Sequence, residues 1–267
     1  MLTIALCAVS AGGQENAAYP PDIAAWTDEM KESQRSAARA LDARLKDAIA
    51  KAATEFRIEP GHYRFGRKGP KCLDVRNAAN LRVDATGATF WFEGRLRIDA
   101  IQFNRCKNVS LKGLTVDYDP LGYSQGEITA IDRAAKSLDI RIDPGFPLPD
   151  DTWTQQDGSI KAIFYDREDK QMEVRMDWIK ALTPLAGRGY RVTFKSGWHF
   201  DPVYQSRVQV GDRLALPDRS MRHAFGLNES ESVTLADITV YACPHMAFTE
   251  VGGGGGHVYR RCKVLRR

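Results

Sequence analysis

Beyond the first dozen positions the chain has no run of about 18 uncharged apolar residues, which excludes a membrane-spanning helix in the mature protein. Cysteine is sparse. The five (Cys7, Cys72, Cys106, Cys243, Cys262) are odd in number, widely spaced and without a CxxC pair, so the chain is no disulfide scaffold. Cys243 and Cys262 interleave with His245 and His257, but free cysteines of this kind read as small buried hydrophobes, and no metal site is expected. Blocks of five or six like charges are missing too. The 38 Lys and Arg nearly balance 34 Asp and Glu, for a net +4, which argues against a dedicated nucleic-acid surface. The glycine run Gly252–Gly256 lacks a following Lys-Ser/Thr and a strand-to-helix setting, so it is a loop and not a phosphate cradle.

What is present is an ordinary globular composition: 267 residues, 43% hydrophobic and 27% charged, enough for a sizeable core. Leu2 to Val9 form a short apolar run followed by small residues to Gly13. This resembles a secretory leader without its positively charged start, and it predicts a secreted or periplasmic protein. From Asp22 to about Phe56 the pattern is helical, with Leu41, Leu45, Ala48, Ile49 and Ala52 at three- and four-residue steps. After Arg57 the period changes to alternation around Pro60-Gly61, and the regular segments that follow read as strand.

The most informative feature is an internal repeat. Asn108-Val109-Ser110-Leu111-Lys112-Gly113-Leu114-Thr115-Val116 matches Ser232-Val233-Thr234-Leu235-Ala236-Asp237-Ile238-Thr239-Val240 with apolar residues in register. Gly256 to Val264 keeps most of the pattern. Asn80 to Phe90 fits with two extra residues, and Asn104 and Asn228 also coincide. Repeats of about 20 to 30 residues carrying short strands predict a β-solenoid, in which each turn stacks on the next about 4.8 Å away. Leu111, Leu235 and Tyr259 should then form one stack, and Leu114, Ile238 and Cys262 another.

A solenoid needs covered ends. The helix ending near Phe56 is placed to cap the first coil. The chain stops at Arg267 one strand into a new coil, so further coils or an oligomer are expected over the other end. Between the second and third repeats lies an interruption with alternating strands at 126–132, 137–143, 162–165, 171–175, 190–194 and 207–210, which predicts an inserted antiparallel barrel or sandwich. Trp153, Trp178 and Trp198 are read as its core and not as a sugar platform. The chain thus divides into a leader (1–21), capping helix and first coils (22–118), the insertion (119–220) and further coils (221–267). The fold class is all-β.

The segments Pro60-Gly61-His62-Tyr63, Asn80 to Ala88, Asn108 to Asp119 and Tyr123-Ser124-Gln125-Gly126 resemble right-handed parallel β-helix proteins of the pectate-lyase-like superfamily. Within it the chain is most similar to family 110 glycoside hydrolases, α-1,3-galactosidases with a β-barrel insertion after the Asp-Tyr-Asp segment; Val240 to Phe248 resembles the coil that re-enters the helix. The resemblance implies an exported hydrolase acting on terminal, galactoside-like sugars, with an oligo- or polysaccharide as partner and no cofactor. It supplies no catalytic residue, because the family's Asp-Asp pair sits on later coils than any present here.

The residues can also be asked directly. Glycoside hydrolysis wants two carboxylates about 5 to 9.5 Å apart. In the repeat register Asp117 aligns with Tyr241 and Leu265, Asp119 with Cys243 and Arg267, and Asp237 with Gly113 and Arg261, so no stacked acid pair emerges. Asp117, Asp119, Gln125, His245 and Glu250 flank apolar strands where loops leave the helix. They are the candidates for sugar contact, against the simpler reading that each serves a turn. Two other readings stand beside the hydrolase. One is a uronate lyase or epimerase on the same scaffold, needing a base and clustered Asp residues. The other is a non-catalytic glycan-binding or structural β-helix.

Overall fold

The structure is a computed structural model that describes residues 23–66, 68–93, 98–149, 162–168, 170–172, 179–195, 207–218 and 223–265. The segment read in sequence as a leader, with Trp153, Trp178 and Trp198, lies outside the described residues. The chain divides into two compact units, Met1–Pro120 with Met221–Arg267, and Leu121–Ser220.

The first unit opens with helix α1 (Asp28–Ala50). It is shorter than the stretch from 22 to 56 that looks helical in sequence, and both ends have local causes. Thr27 caps it, its Oγ1 accepting the Met30 N–H at 3.2 Å, with Asp28 and Glu29 in the first turn to complement the helix dipole. Beyond the Lys51 cap, Ala52 turns left-handed (φ 52°), which frees Phe56 for the first strand. The buried stripe Ala38, Leu41, Leu45 joins Ile58, Tyr63, Phe65 and Leu73 in one core. The helix therefore covers the solenoid's first coil.

That coil consists of β1 (Glu55–Arg57), β2 (Gly61–Phe65) and β3 (Leu73–Arg76). The next is β4 (Arg82–Asp84), β5 (Ala88–Phe92) and β6 (Ile101–Asn104), and the third begins with β7 (Ser110–Lys112) and β8 (Thr115–Tyr118). Here the chain departs into the second unit: β9 (Tyr123–Asp132), β10 (Ser137–Ile142), β11 (Ile163–Tyr165), β12 (Ile179–Pro184), β13 (Gly189–Phe194) and β14 (Arg213–Pro217). These form an antiparallel sheet in the order β11-β14-β9-β10-β13-β12, with its own core around Ile128, Ile140, Val192, Leu214 and Leu216. β12 and β14 are additional to the strands read from sequence, and Arg207 to Val210 are not in a strand. The solenoid then resumes with β15 (Phe225–Asn228), β16 (Thr234–Ala236), β17 (Thr239–Tyr241), β18 (Phe248–Val251), β19 (Val258–Arg260) and β20 (Lys263–Leu265).

Three parallel sheets result: β1-β4-β7-β16-β19, β2-β5-β8-β17-β20 and β18-β15-β6-β3, called here the first, second and third. The repeat register is the register of the structure. Val83, Leu111, Leu235 and Tyr259 pair in turn, as do Tyr63, Phe90 and Val116. The protein is a parallel β-helix with a capping helix and an antiparallel insertion.

Corners follow a stacked rule of their own. Asn77, Arg105, Glu229 and Gly252 are all left-handed (φ 56°, 54°, 48° and 85°), each at the step that leaves the third sheet. The glycine run is the extreme of this: all five residues have positive φ, and a Cβ on Gly254 would fall on the Ser230 carbonyl oxygen of the preceding coil.

Candidate functional site

Side chains alternate in and out of a strand, so each sheet carries an outward row. The first sheet's row is what a solvated surface predicts: exposed ion pairs between consecutive coils, Glu55 with Arg82 at 2.6 Å and Asp84 with Lys112 at 3.0 Å. The second sheet differs. Between its inward residues Tyr63, Phe65, Phe90, Phe92, Val116 and Tyr118, the outward row reads Arg64, Trp91, Asp117, with Tyr241 next in step. Arg64 is 1% exposed and Trp91 and Asp117 are 0% exposed. Buried charge and indole on the outside of a solenoid is costly unless each group is paired.

Arg64 is held from several elements. Its Nε donates to Gln34 Oε1 of α1 at 3.1 Å, and its Nη1 donates to Asp119 Oδ2 at 2.9 Å and lies 3.7 Å from Glu93. Glu93 takes a two-pronged bond from Arg35 of the same helix, at 2.7 and 3.1 Å, and these bonds hold the Arg35 guanidinium firmly protonated. Among the described residues Nη2 of Arg64 is buried with no hydrogen-bond partner. The Trp26 ring lies over the guanidinium at 5.3 Å, edge-on to Trp91 at 4.9 Å. Trp91 donates its indole N–H to His62 Nδ1 at 3.1 Å, so His62 is neutral with its proton on Nε2. Burial, and then the charge of Arg64, lower the His62 pKa.

A second group gathers where chain segments pass from the second sheet to the third. Ile101 and Phe225 pair in register, which places Asp99 and His223, each two residues earlier, on successive coils. Asp99 Oδ1 accepts the His223 backbone N–H at 3.3 Å, and the His223 and His245 rings meet at 5.2 Å, nearly perpendicular. All three side chains belong to half-buried residues. Behind them Tyr118 and Cys243 approach within 3.8 Å, Oη to Sγ. Burial pushes the Cys243 thiol to about 11. Burial first, then the neighbouring thiol, raises the Tyr118 hydroxyl well above its ordinary range, with Asp117 and Asp99 adding their negative charge.

Of the five residues singled out in sequence, three share this edge of the solenoid. Asp117 lies in the buried outward row, its Oδ1 accepting the Tyr118 N–H at 2.7 Å. Asp119 is engaged by Arg64, and His245 stands against His223. Gln125 belongs to the second unit, on β9. With its amide oxygen turned toward Arg213 it accepts from Nη2 and Nε at 3.1 and 3.2 Å. Glu250 follows Val75, Phe103 and Leu227 in the inward row of the third sheet and accepts the Tyr259 hydroxyl at 2.7 Å, so it belongs to the interior of the last coils. Sequence reasoning missed Asp99, His223, Arg64 and Trp91. The signal was available for two of them: carrying the repeat alignment two residues upstream of Ile101 and Phe225 superposes Asp99 on His223.

The corner brings together a carboxylate and two imidazoles of half-buried residues, and on the adjoining sheet the Trp26 ring packs against His62 and Trp91. Such groups exchange hydrogen bonds with hydroxyls and pack against C–H faces. Among the described residues no group of three or more His, Cys, Asp or Glu side chains is placed to hold a metal ion. No family model matches the chain, and no curated protein matches it either.

Proposed function

We propose that this chain is an exported, carbohydrate-active β-helix protein that recognises glycans, a glycoside hydrolase for terminal, galactoside-like sugars. The observation that carries the reading is the outward row of the second sheet. Where the first sheet shows solvated ion pairs, this one shows Arg64, Trp91 and Asp117, continued at its edge by Asp99, His223 and His245 and on its surface by Trp26 and His62. Aromatic faces beside fixed polar groups suit a pyranose, which has apolar C–H faces and a rim of hydroxyls.

The reading is tested by titrating the purified chain with a panel of neutral oligosaccharides and uronates, followed by calorimetry or ligand-observed NMR. Saturable binding of a neutral glycan is expected, weakened several-fold in Trp26→Ala. Absence of binding across the panel ends the glycan reading. An unsaturated, ultraviolet-absorbing product from a uronate would move it to a lyase.

A further inference from the structure

Asp99 differs from the carboxylates that close ion pairs or side-chain bonds along the solenoid. Asp74 is bonded by Arg76 and Asn104, Asp84 by Lys112, Asp119 by Arg64 and Asp237 by Arg261. No ion pair neutralises Asp99 among the described residues, and the hydrogen bond its carboxylate receives is the backbone N–H of His223 on Oδ1. The other oxygen has a seat made for it. In the outward row of the third sheet, Asp74, Gln102, Gly226 and Thr249 pair in turn, and only the Gly226 rung lacks a side chain. The backbone there does not require glycine, since Gly226 is not among the positive-φ residues. Space requires it: a Cβ on Gly226 would fall on Asp99 Oδ2.

We infer that Asp99 is the anchor of a neutral-sugar site at this corner, its carboxylate accepting two adjacent hydroxyls of a terminal pyranose while His223 and His245 supply the flanking imidazoles. The inference rests on the glycan reading and gives it a substrate class. A carboxylate oriented by its own fold, with one backbone N–H on Oδ1 and no ion pair among the described residues, keeps lone pairs to offer to a ligand. Two hydroxyls on neighbouring sugar carbons match the two oxygens of one carboxylate. Hydrogen bonds to a charged acceptor are the strong ones, and the carboxylate is held before ligand arrives, so little ordering remains to be done on binding. A uronate would set a second negative charge against Asp99. The site therefore selects neutral sugars.

The experiment uses the full chain and two probes, methyl α-D-galactopyranoside and its 6-carboxylate counterpart, with Asp99→Asn, Gly226→Ala and the double variant Asp99→Ala/Gly226→Ala. Wild type is expected to bind the neutral glycoside and not the acidic one. Asp99→Asn should weaken binding about tenfold or more, the usual effect of removing a charged hydrogen-bond partner. Gly226→Ala should lower the melting temperature and abolish binding by displacing the carboxylate. The double variant, which removes the clash, should regain the melting temperature and not the binding; this arm is informative even if Gly226→Ala alone fails to fold. Neutral-sugar binding that persists in Asp99→Asn and in the double variant overturns the inference and leaves the glycan reading standing, as does preference for the acidic probe. Wild type that binds neither these probes nor any member of the wider panel overturns both.

Discussion

At the scale of single residues, His62 makes the sharpest statement about pH. Its Nδ1 accepts from Trp91, so protonation there breaks the bond and adds a positive charge beside Arg64. The folded protein thus binds this proton less readily than the unfolded chain, whose imidazole titrates near the ordinary 6.5. Above that value the group is neutral in both states and has no effect. As pH falls through it the unfolded state takes up the proton first, so stability declines until the folded imidazole titrates as well. Lowering pH from about 7.5 to about 5.5 is expected to change tryptophan emission and lower the melting temperature, and His62→Gln should flatten both responses. Gly113 is a second residue-scale case. Its φ is 77°, and a Cβ there would lie 2.7 Å from the Thr86 Cα of the preceding coil. Asp237 and Arg261 occupy the same left-handed step on later coils, so conformation alone does not demand glycine; the close approach does. Gly113→Ala should lose about 2 to 3 kcal/mol in urea unfolding.

At the scale of elements, the cap is the decisive piece. A solenoid end exposes one rung of core, and α1 covers it with Ala38, Leu41 and Leu45, each at most 1% exposed. Leu41→Ala should therefore cost about 2 to 5 kcal/mol, the range for a fully buried leucine, measured by chemical denaturation. The helical stripe was plain in the sequence because its period differs from that of the strands. Its ends were less so, because Ala52 and Phe56 fit the helical pattern and only the demand for a first strand takes Phe56 away. The strands of the solenoid were legible for a related reason. One rung repeats another, and the alignment of Leu111 with Leu235 and Tyr259 is a statement about spatial neighbours. In the insertion no such repetition exists, so β12 and β14 went unread.

At the scale of the whole molecule, two compact units with separate hydrophobic clusters predict two unfolding events. Scanning calorimetry should resolve two transitions. Val192→Ala should lower only one of them and Leu111→Ala only the other; a single transition moved by both variants would show that the units unfold together. The sequence singled out Asp117, Asp119, Gln125, His245 and Glu250 by one rule, because they sit where strands give way to loops. The structure places the first two and His245 along one edge of the solenoid, Glu250 in the inward row of the third sheet and Gln125 against Arg213 in the second unit.

The amino-acid order was sufficient to determine which residues stack from coil to coil, since a parallel solenoid turns similarity along the chain into adjacency in space. It could not decide which outward positions are solvated and which are enclosed. Arg82 and Arg64 are each an arginine on the outer side of a short strand, yet one is a surface ion-pair partner and the other is 1% exposed beneath Trp26. That difference depends on helix α1 and its approach setting Gln34 and Trp26 against Arg64, as the enclosure of Asp99 depends on the room that Gly226 leaves. Both are contacts between segments far apart in the chain, and local pattern carries no trace of them.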